Sequence, residues 1–196
     1  MNKKHSQKQD APQNFSIGYA ESYVKLTKAR SIFLSEDVTV EVAADLSALL
    51  LYYDAVSHTD EITLYLHSNG GDTSGLNNIY DVMQMVHSPI KTVCMGKAYS
   101  AAAVLLSAGT TGRRYAFKNS NIMIHGLQAA FPIPGFDFTN AKNYFNFLNV
   151  HNNGIVKILA NHTGHSLEKV KKDCMEDKYM TAKQAKDYGI IDHIIG

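Results

Sequence analysis

Ser100 stands where an apolar segment, residues 90–95, passes through Gly96 into an alanine-rich segment, residues 101–107. This order predicts a strand, a glycine turn and a helix that begins at the serine. A serine in that place can simply cap the helix with its hydroxyl. It can also act as a nucleophile, because the first turn of a helix offers free N–H groups and a positive dipole end to an oxyanion. The spacing is not the G-x-S-x-G elbow of the α/β-hydrolases.

Of the nine histidines, His125 is the one best placed to act as a general base for such a serine. It follows a short apolar segment, residues 121–124, that predicts a strand. A histidine there can equally be a structural hydrogen-bonding residue, so both roles stay open. An aspartate would have to orient the imidazole, and spacing selects none of the many present. The candidates include Asp72, Asp81, Asp137, Asp173, Asp177, Asp187 and Asp192.

Three short β-prone segments, residues 61–66, 90–95 and 121–124, recur with their last apolar residues 29 positions apart. A polar or glycine-containing stretch follows each of them at once. If these strands are parallel neighbours, their carboxyl ends form one crevice, which is where α/β folds bind ligands. The backbone N–H of Gly71, after the first strand, and that of Ala101 would then face the same oxygen. Two such donors make an oxyanion hole.

The remaining pattern is mostly helical. Residues 40–56 and 139–162 carry apolar residues at helical spacing, while residues 17–28 fit either a helix or a strand. Thr181 with Gln184 three residues later predicts a capping box for a helix that ends at Gly189. Further predicted elements are strands at 31–34 and 190–195, helices at 76–86 and 166–174, and a loop or edge strand at 129–135.

Length and composition favour one α/β domain. The chain has 196 residues, and 19 Lys and Arg against 18 Asp and Glu leave a net charge of +1. This balance argues against a dedicated surface for nucleic acid or for an anionic membrane. Residues 1–14 are polar, so we expect a disordered arm, and no apolar run predicts a secretion signal or a membrane span. Two isolated cysteines indicate reduced thiols in a cytoplasmic setting.

Other familiar binding patterns are weak or absent. His162 and His165 have an H-x-x-H spacing, but Gly164 interrupts the helix between them, so we predict no metal site there. The Gly70-Gly71 pair is accompanied by neither of the glycine-rich patterns that bind nucleotides.

From about residue 32 to residue 195 the chain resembles the ClpP family of serine proteases. Residues 64–71, LYLHSNGG, are similar to the family's LYINSPGG, and residues 94–100, CMGKAYS, to its CMGxAAS. Residues 122–125, IMIH, are similar to its VMIH, and residues 177–182, DKYMTA, to its D-x-(F/Y)-(L/M)-(S/T)-A segment. The four motifs occur in the same order as in the family.

This resemblance implies a Ser-His-Asp triad for peptide-bond hydrolysis. Ser100 would be the nucleophile, His125 the general base and Asp177 the residue that orients it. The backbone N–H groups of Gly71 and Ala101 would form the oxyanion hole. The triad mechanism then predicts an acyl-enzyme on Ser100 that water hydrolyses.

The resemblance also implies fold and assembly. We expect the α/β ClpP/crotonase-like spiral of repeated β-β-α units over residues 15–196, a single domain with residues 136–161 as a protruding helical handle. The expected assembly is a homo-oligomer of stacked heptameric rings that encloses peptide or unfolded-protein substrates and needs no cofactor. Tyr65 and Met95 match part of the pocket where a Clp AAA+ ATPase docks, and ATP would be used only by that partner.

The chain departs from the family pattern at several positions. Gly126-Leu127 replaces the Gln-Pro that usually follows the histidine, Ala129-Ala130 replaces a glycine pair, and Met175-Glu176 replaces an Asp-Arg pair. Thr63 stands where a docking-pocket tyrosine is usual. Three alternatives to an ATPase-linked protease therefore stay open: a stand-alone peptidase, a non-catalytic accessory subunit of a mixed assembly, and a crotonase-type acyl-CoA enzyme.

Overall fold

The computed structural model describes residues 17–128 and 138–196, which form seven helices and seven strands. The strands are β1 Ser31–Leu34, β2 Ile62–Ser68, β3 Ile90–Tyr99, β4 Arg114–Phe117, β5 Asn121–Ile124, β6 Lys178–Thr181 and β7 His193–Ile195. The helices are α1 Ile17–Lys28, α2 Val40–Val56, α3 Thr73–Met85, α4 Ala101–Ser107, α5 Phe138–Thr163, α6 Leu167–Asp173 and α7 Ala182–Tyr188. The predicted arm 1–14 and the segment 129–135 lie outside the described residues.

All seven strands belong to one sheet. A parallel path runs β1-β2-β3-β4-β7, while β5 pairs with β3 in parallel and with β6 in antiparallel orientation. The three strands of the repeat, β2, β3 and β5, are therefore parallel neighbours as predicted. The expected α/β single-domain fold is confirmed.

The predicted glycine turn before Ser100 is wrong, because β3 continues through Gly96 to Tyr99. Gly96 has a positive φ of 85° and bends the strand there. The N–H of Gly96 donates to Oγ of Ser120, whose hydroxyl donates to the carbonyl of Cys94. The bend lets β3 pair first with β4 and then with β5. Gly96, which predicts a turn in the sequence, here changes the direction of a long strand.

The core is formed by the sheet and by buried residues of helices α2 to α7. Every residue of α4 is buried. The helix can be buried completely because it is apolar except for Ser107, whose side chain is short. The predicted apolar stripe of α5 is only partly correct. Val156 and Leu159 are buried in the core, whereas Phe145 is exposed. The C-terminal half of α5 therefore packs on the domain, and its first half presents apolar side chains outwards.

Local sequence signals explain several boundaries. The predicted capping box is present, since Thr181 and Gln184 bond reciprocally at the start of α7, and Gly189 ends that helix in the left-handed conformation. Residues 17–28 form a helix rather than a strand. The closing strand is shorter than predicted, and the four-residue strands β4 and β6 were not predicted. None of the helices in the described part of the chain is long and apolar enough to cross a membrane.

Candidate active site

Ser100 occupies the junction between β3 and α4 in a strained conformation. Its φ is 54° and its ψ is −123°, and among the described non-glycine residues only Arg30 shares a positive φ. Such a conformation costs about 1–3 kcal/mol and is typical of functional sites. The Ser100 side chain makes no capping hydrogen bond, which rules out the simple N-cap interpretation. Its backbone N–H instead donates to the carbonyl of Met123 on β5, at 2.8 Å.

The Gly70-Gly71 pair lies directly against this junction. A Cβ at Gly70 would lie 2.7 Å from Cβ of Ser100 and 2.8 Å from N of Ala101, so only glycine permits the approach. Val38 holds the pair in place, because its N–H donates to the carbonyl of Gly70 and its carbonyl accepts from the N–H of Asp72, both at 2.7 Å. The glycine pair is thus a fixed wall beside Ser100.

Two backbone N–H groups next to Ser100, one on the glycine pair and one at the start of α4, make no backbone hydrogen bond to the described residues. Neither the N–H of Gly71 nor that of Ala101 donates a backbone hydrogen bond within the described ranges. Both residues line one cavity of about 380 Å³ together with Ser100, His125 and Asp177. The structure therefore brings all five residues predicted for catalysis to the same cavity.

The pairing of β5 with β6 explains how Asp177 comes to this place. In the antiparallel register Ile124 lies opposite Lys178, so His125 and Asp177 stand next to each other just beyond the paired residues. No spacing along the sequence could select Asp177 among the aspartates, because the selection depends on this short β-strand pair. The resemblance to the protease family supplied that residue.

The polar contacts of a working triad are not formed. Nδ1 of His125 is buried and has no hydrogen-bond partner, and no hydrogen bond joins Ser100, His125 and Asp177 in the part of the chain that the structure describes. Asp177 is exposed, whereas His125 is half-buried. The groups share one cavity, but no hydrogen bond links His125 to Asp177.

The segment after His125 is held by two hydrogen bonds. The N–H of Gly126 donates to the carbonyl of Cys174, at 2.7 Å, and that of Leu127 donates to Oδ1 of Asn152 on α5, at 2.8 Å. A proline in place of Leu127, as is usual in the family, would have no N–H to donate. Sequence reasoning missed Asn152, since one amide on a long polar helix face carries no signal of its partner.

The residues predicted for ATPase docking lie on neighbouring strands. Tyr65 on β2 stacks on Phe33, with ring centroids 4.9 Å apart, and Phe33 contacts Tyr23 at 5.8 Å. Tyr23 lines an apolar cavity of about 680 Å³ between α1 and α2. Met95 on β3 is half-buried, and its carbonyl lies 2.6 Å from Nδ1 of His67. Neither Tyr65 nor Met95 lines the apolar cavity itself.

Both cysteines are free thiols, as predicted, and the structure shows that both are buried. Burial raises the pKa of each thiol to about 11, so neither forms a thiolate near neutral pH. Cys174 therefore contributes its backbone carbonyl to the site and no nucleophile. The serine hydroxyl remains the candidate nucleophile of the cavity.

The chain matches known proteins over most of its length. The family described as Clp protease matches residues 17–196. The chain is 40% identical over 182 residues to "ATP-dependent Clp protease proteolytic subunit 1" of Mycolicibacterium paratuberculosis, covering 93% of this chain and 86% of that protein. It is 39% identical over 182 residues to subunit 2 of Mycobacterium leprae, covering 93% and 85%. A further relative is subunit 2 of Frankia casuarinae, 40% identical over 174 residues, with 88% and 78% covered. A family match over nearly the whole chain, with relatives of this identity, shows that the chain belongs to the Clp protease family.

Proposed function

We propose that this protein is a serine endopeptidase that hydrolyses peptide bonds with Ser100 as nucleophile, His125 as general base and Asp177 as the residue that orients the base. The observation that carries the proposal is the strained Ser100 beside two free N–H groups in a cavity that also contains His125 and Asp177. The names of the relatives, all proteolytic subunits, support the same activity.

The reaction follows from the positions of these groups. His125 takes the proton of the Ser100 hydroxyl while Oγ attacks the peptide carbonyl carbon. The N–H groups of Gly71 and Ala101 donate to the resulting oxyanion. His125 then gives its proton to the leaving amine, and an acyl-enzyme remains on Ser100. Water attacks the ester with His125 again acting as base, which releases the acid product and restores the hydroxyl.

One rearrangement must precede catalysis. Nδ1 of His125 has no partner among the described residues, whereas a catalytic imidazole has to donate Nδ1–H to a carboxylate so that Nε2 faces the serine. Asp177 is exposed at the adjacent strand end and supplies that carboxylate when its side chain turns inward. Assembly or substrate binding would favour this closed arrangement.

The family also guides the proposed setting of the reaction. We infer a cytoplasmic homo-oligomer of stacked heptameric rings, with residues 136–161 as the handle between the rings, acting on peptides or unfolded proteins. The word "ATP-dependent" in the names of the relatives supports a Clp AAA+ ATPase that docks near Tyr65 and Met95. The protein itself would need no cofactor. The same names favour a protease over the acyl-CoA enzyme of related fold.

The test compares the wild type with Ser100→Ala on a short fluorogenic peptide and on an unfolded protein, while the mass of the assembly is measured in parallel. We expect cleavage by the wild type, none by Ser100→Ala, and rings of equal mass. A fluorophosphonate probe should label only the wild type. Ring assemblies of the wild type that neither cleave nor react with the probe would contradict the proposal and favour an accessory subunit.

A further inference from the structure

Asp54, His58 and His87 form a cluster of possible metal ligands outside the active-site cavity. Asp54 lies in the last turn of α2, His58 follows the end of that helix, and His87 follows the end of α3. Their ligand atoms all lie within 4.8 Å of one another, and none of the three residues lines the Ser100 cavity. The ends of two helices thus bring two imidazoles and one carboxylate together.

The carboxylate of Asp54 is held in one orientation. Its Oδ1 accepts hydrogen bonds from the backbone N–H groups of His87, at 2.9 Å, and Ser88, at 2.8 Å. Backbone contacts thus fix Oδ1, as in well-built metal sites, and Oδ2 faces the two imidazoles.

The two histidines are also held by their neighbours in the chain. Ser57 precedes His58 and Ser88 follows His87, and the Ser88 hydroxyl donates to the Ser57 carbonyl at 2.7 Å. The guanidinium of Arg30 donates to both, at 3.3 Å to the Ser57 carbonyl and 3.0 Å to Oγ of Ser88. The backbones that carry the imidazoles are thereby tied to each other without any ion.

The distances fit a zinc-type ion. Oδ2 of Asp54 lies 3.1 Å from Nδ1 of His58 and 3.6 Å from Nδ1 of His87. Metal–ligand bonds of about 2.0–2.1 Å at a tetrahedral angle place neighbouring ligand atoms roughly 3.3 Å apart, between these two values. The longer distance exceeds that of a hydrogen bond, so the imidazole of His87 faces the carboxylate without a hydrogen bond to it.

The remaining coordination position is open to water. The side chains of His58 and His87 are 64% and 76% exposed, and their rings cross at 63° instead of stacking. Two imidazoles with one carboxylate suit zinc, cobalt, nickel or copper better than magnesium or calcium, which prefer oxygen ligands. We propose that Asp54, His58 and His87 bind one divalent transition-metal ion of the zinc type, which cross-links the end of α2 to the turn between α3 and β3.

The test uses the assembled full-length protein and zinc chloride, with binding measured by isothermal titration calorimetry. The variants are His58→Asn and His87→Asn, and the matched control is His151→Asn on α5, whose ring packs only on Phe147 among the described aromatic contacts. We expect one ion per chain in the wild type and control, and an affinity lowered about tenfold or more in each ligand variant. Equal zinc affinity in all four proteins would overturn the proposal.

A second measurement separates coordination from adsorption to surface histidines. Cobalt chloride added to the wild type should give the intense visible bands of tetrahedral Co²⁺, and the bands should be absent from His58→Asn and His87→Asn. Zinc should also raise the melting temperature of the wild type and of His151→Asn but not that of the two ligand variants. Weak octahedral bands in the wild type, or a rise in melting temperature that survives both substitutions, would contradict the site. Neither readout depends on peptidase activity.

Discussion

The two sides of the active-site cavity are held in different ways. The Ser100 side, formed by Gly70, Gly71, Ser100 and Ala101, is fixed by strand pairing and by backbones packed so closely that a Cβ does not fit. The His125 side, formed by residues 125–128 and 174–177, lies beyond the short β5–β6 pair, and its segment after β5 is held by two hydrogen bonds. One side is closely packed backbone, and the other lies beyond the end of a short strand pair.

This difference explains why the groups on the Ser100 side are already in position while those on the His125 side are not. On the Ser100 side the strained serine and two free N–H groups are already in place, so the proposed oxyanion hole would need no further ordering. On the His125 side the base lacks its partner, since Nδ1 of His125 is buried and unpaired among the described residues. We therefore expect the rate of catalysis to depend on contacts that order the His125 side, and substitutions on the two sides should have different signatures.

The largest effect is expected for Asp177→Asn. An amide keeps the shape of the carboxylate but holds the imidazole in the wrong tautomer, so kcat on a fluorogenic peptide should fall on the order of 10⁴-fold with little change in KM. The matched control is Glu176→Gln, which removes the adjacent carboxylate at the same exposed turn. Wild-type kcat in Asp177→Asn would show that another group orients His125.

On the Ser100 side, Gly70→Ala should lower kcat about 10²–10³-fold, because the new methyl group would displace Ser100 and the N–H of Ala101 from the oxyanion position. Gly112→Ala is the control. Gly112 also has a positive φ, 81° against 96° at Gly70, but nothing lies within 4 Å of its added Cβ. Gly112→Ala therefore measures the effect of backbone strain alone, without a close contact of the new methyl group. Equal kcat for the two variants would mean that the contact with Ser100 has no catalytic role.

The Ser100 side was largely predictable from sequence, because its signals are local. The apolar repeat places three parallel strands, and the features after each strand must then meet at one edge. What failed was the backbone detail. The glycine turn proved to be a bend within β3, since the strand changes its partner from β4 to β5 at Gly96.

The His125 side could not be derived from local signals. Asp177 reaches His125 through β6, a strand of four residues without a distinctive pattern, and only the resemblance to a family identified it. Asn152 is 25 residues from Leu127, whose backbone N–H donates to it, and no periodicity connects the two. Long-range pairs of this kind depend on how α5 and α6 pack, which the sequence does not reveal.

On the His125 side, Asn152→Ala should lower kcat moderately, about fivefold, since losing one hydrogen bond of about 1 kcal/mol loosens the segment that follows the base. KM and assembly mass should change little, and fluorophosphonate labelling of Ser100 should slow in parallel with kcat. The control is Asn153→Ala, an exposed neighbour on the same helix. If the free energy of unfolding fell by as much as the activation free energy of catalysis rose, Asn152 would have a purely structural role.

The smallest effect should come from Asp173, which braces the turn 174–177 from its start. Its carboxylate accepts from Nζ of Lys169, Nζ of Lys178 and the hydroxyl of Tyr188, at 2.6, 3.2 and 2.9 Å. Burial acts to raise the pKa of Asp173, but these three hydrogen bonds lower it to about 2. Because the folded-state pKa lies below the unfolded value near 4, the stabilisation is present at neutral pH and is lost as the pH falls from about 4 to about 2.

Asp173→Asn should therefore lower the free energy of unfolding by about 1–2 kcal/mol at pH 7 while leaving kcat within about twofold of the wild type. In urea unfolding the difference from the wild type should stay constant from pH 7 to about 4 and shrink as the pH falls from about 4 to about 2, where the wild-type carboxyl becomes protonated first in the unfolded and then in the folded state. Asp187→Asn, which removes an exposed partner of Lys183, should cost less and vary less with pH. If the deficit of Asp173→Asn were instead constant with pH, its charge would not be what braces the turn, and the His125 side would have to be held by the carbonyl of Cys174 and by Asn152 alone.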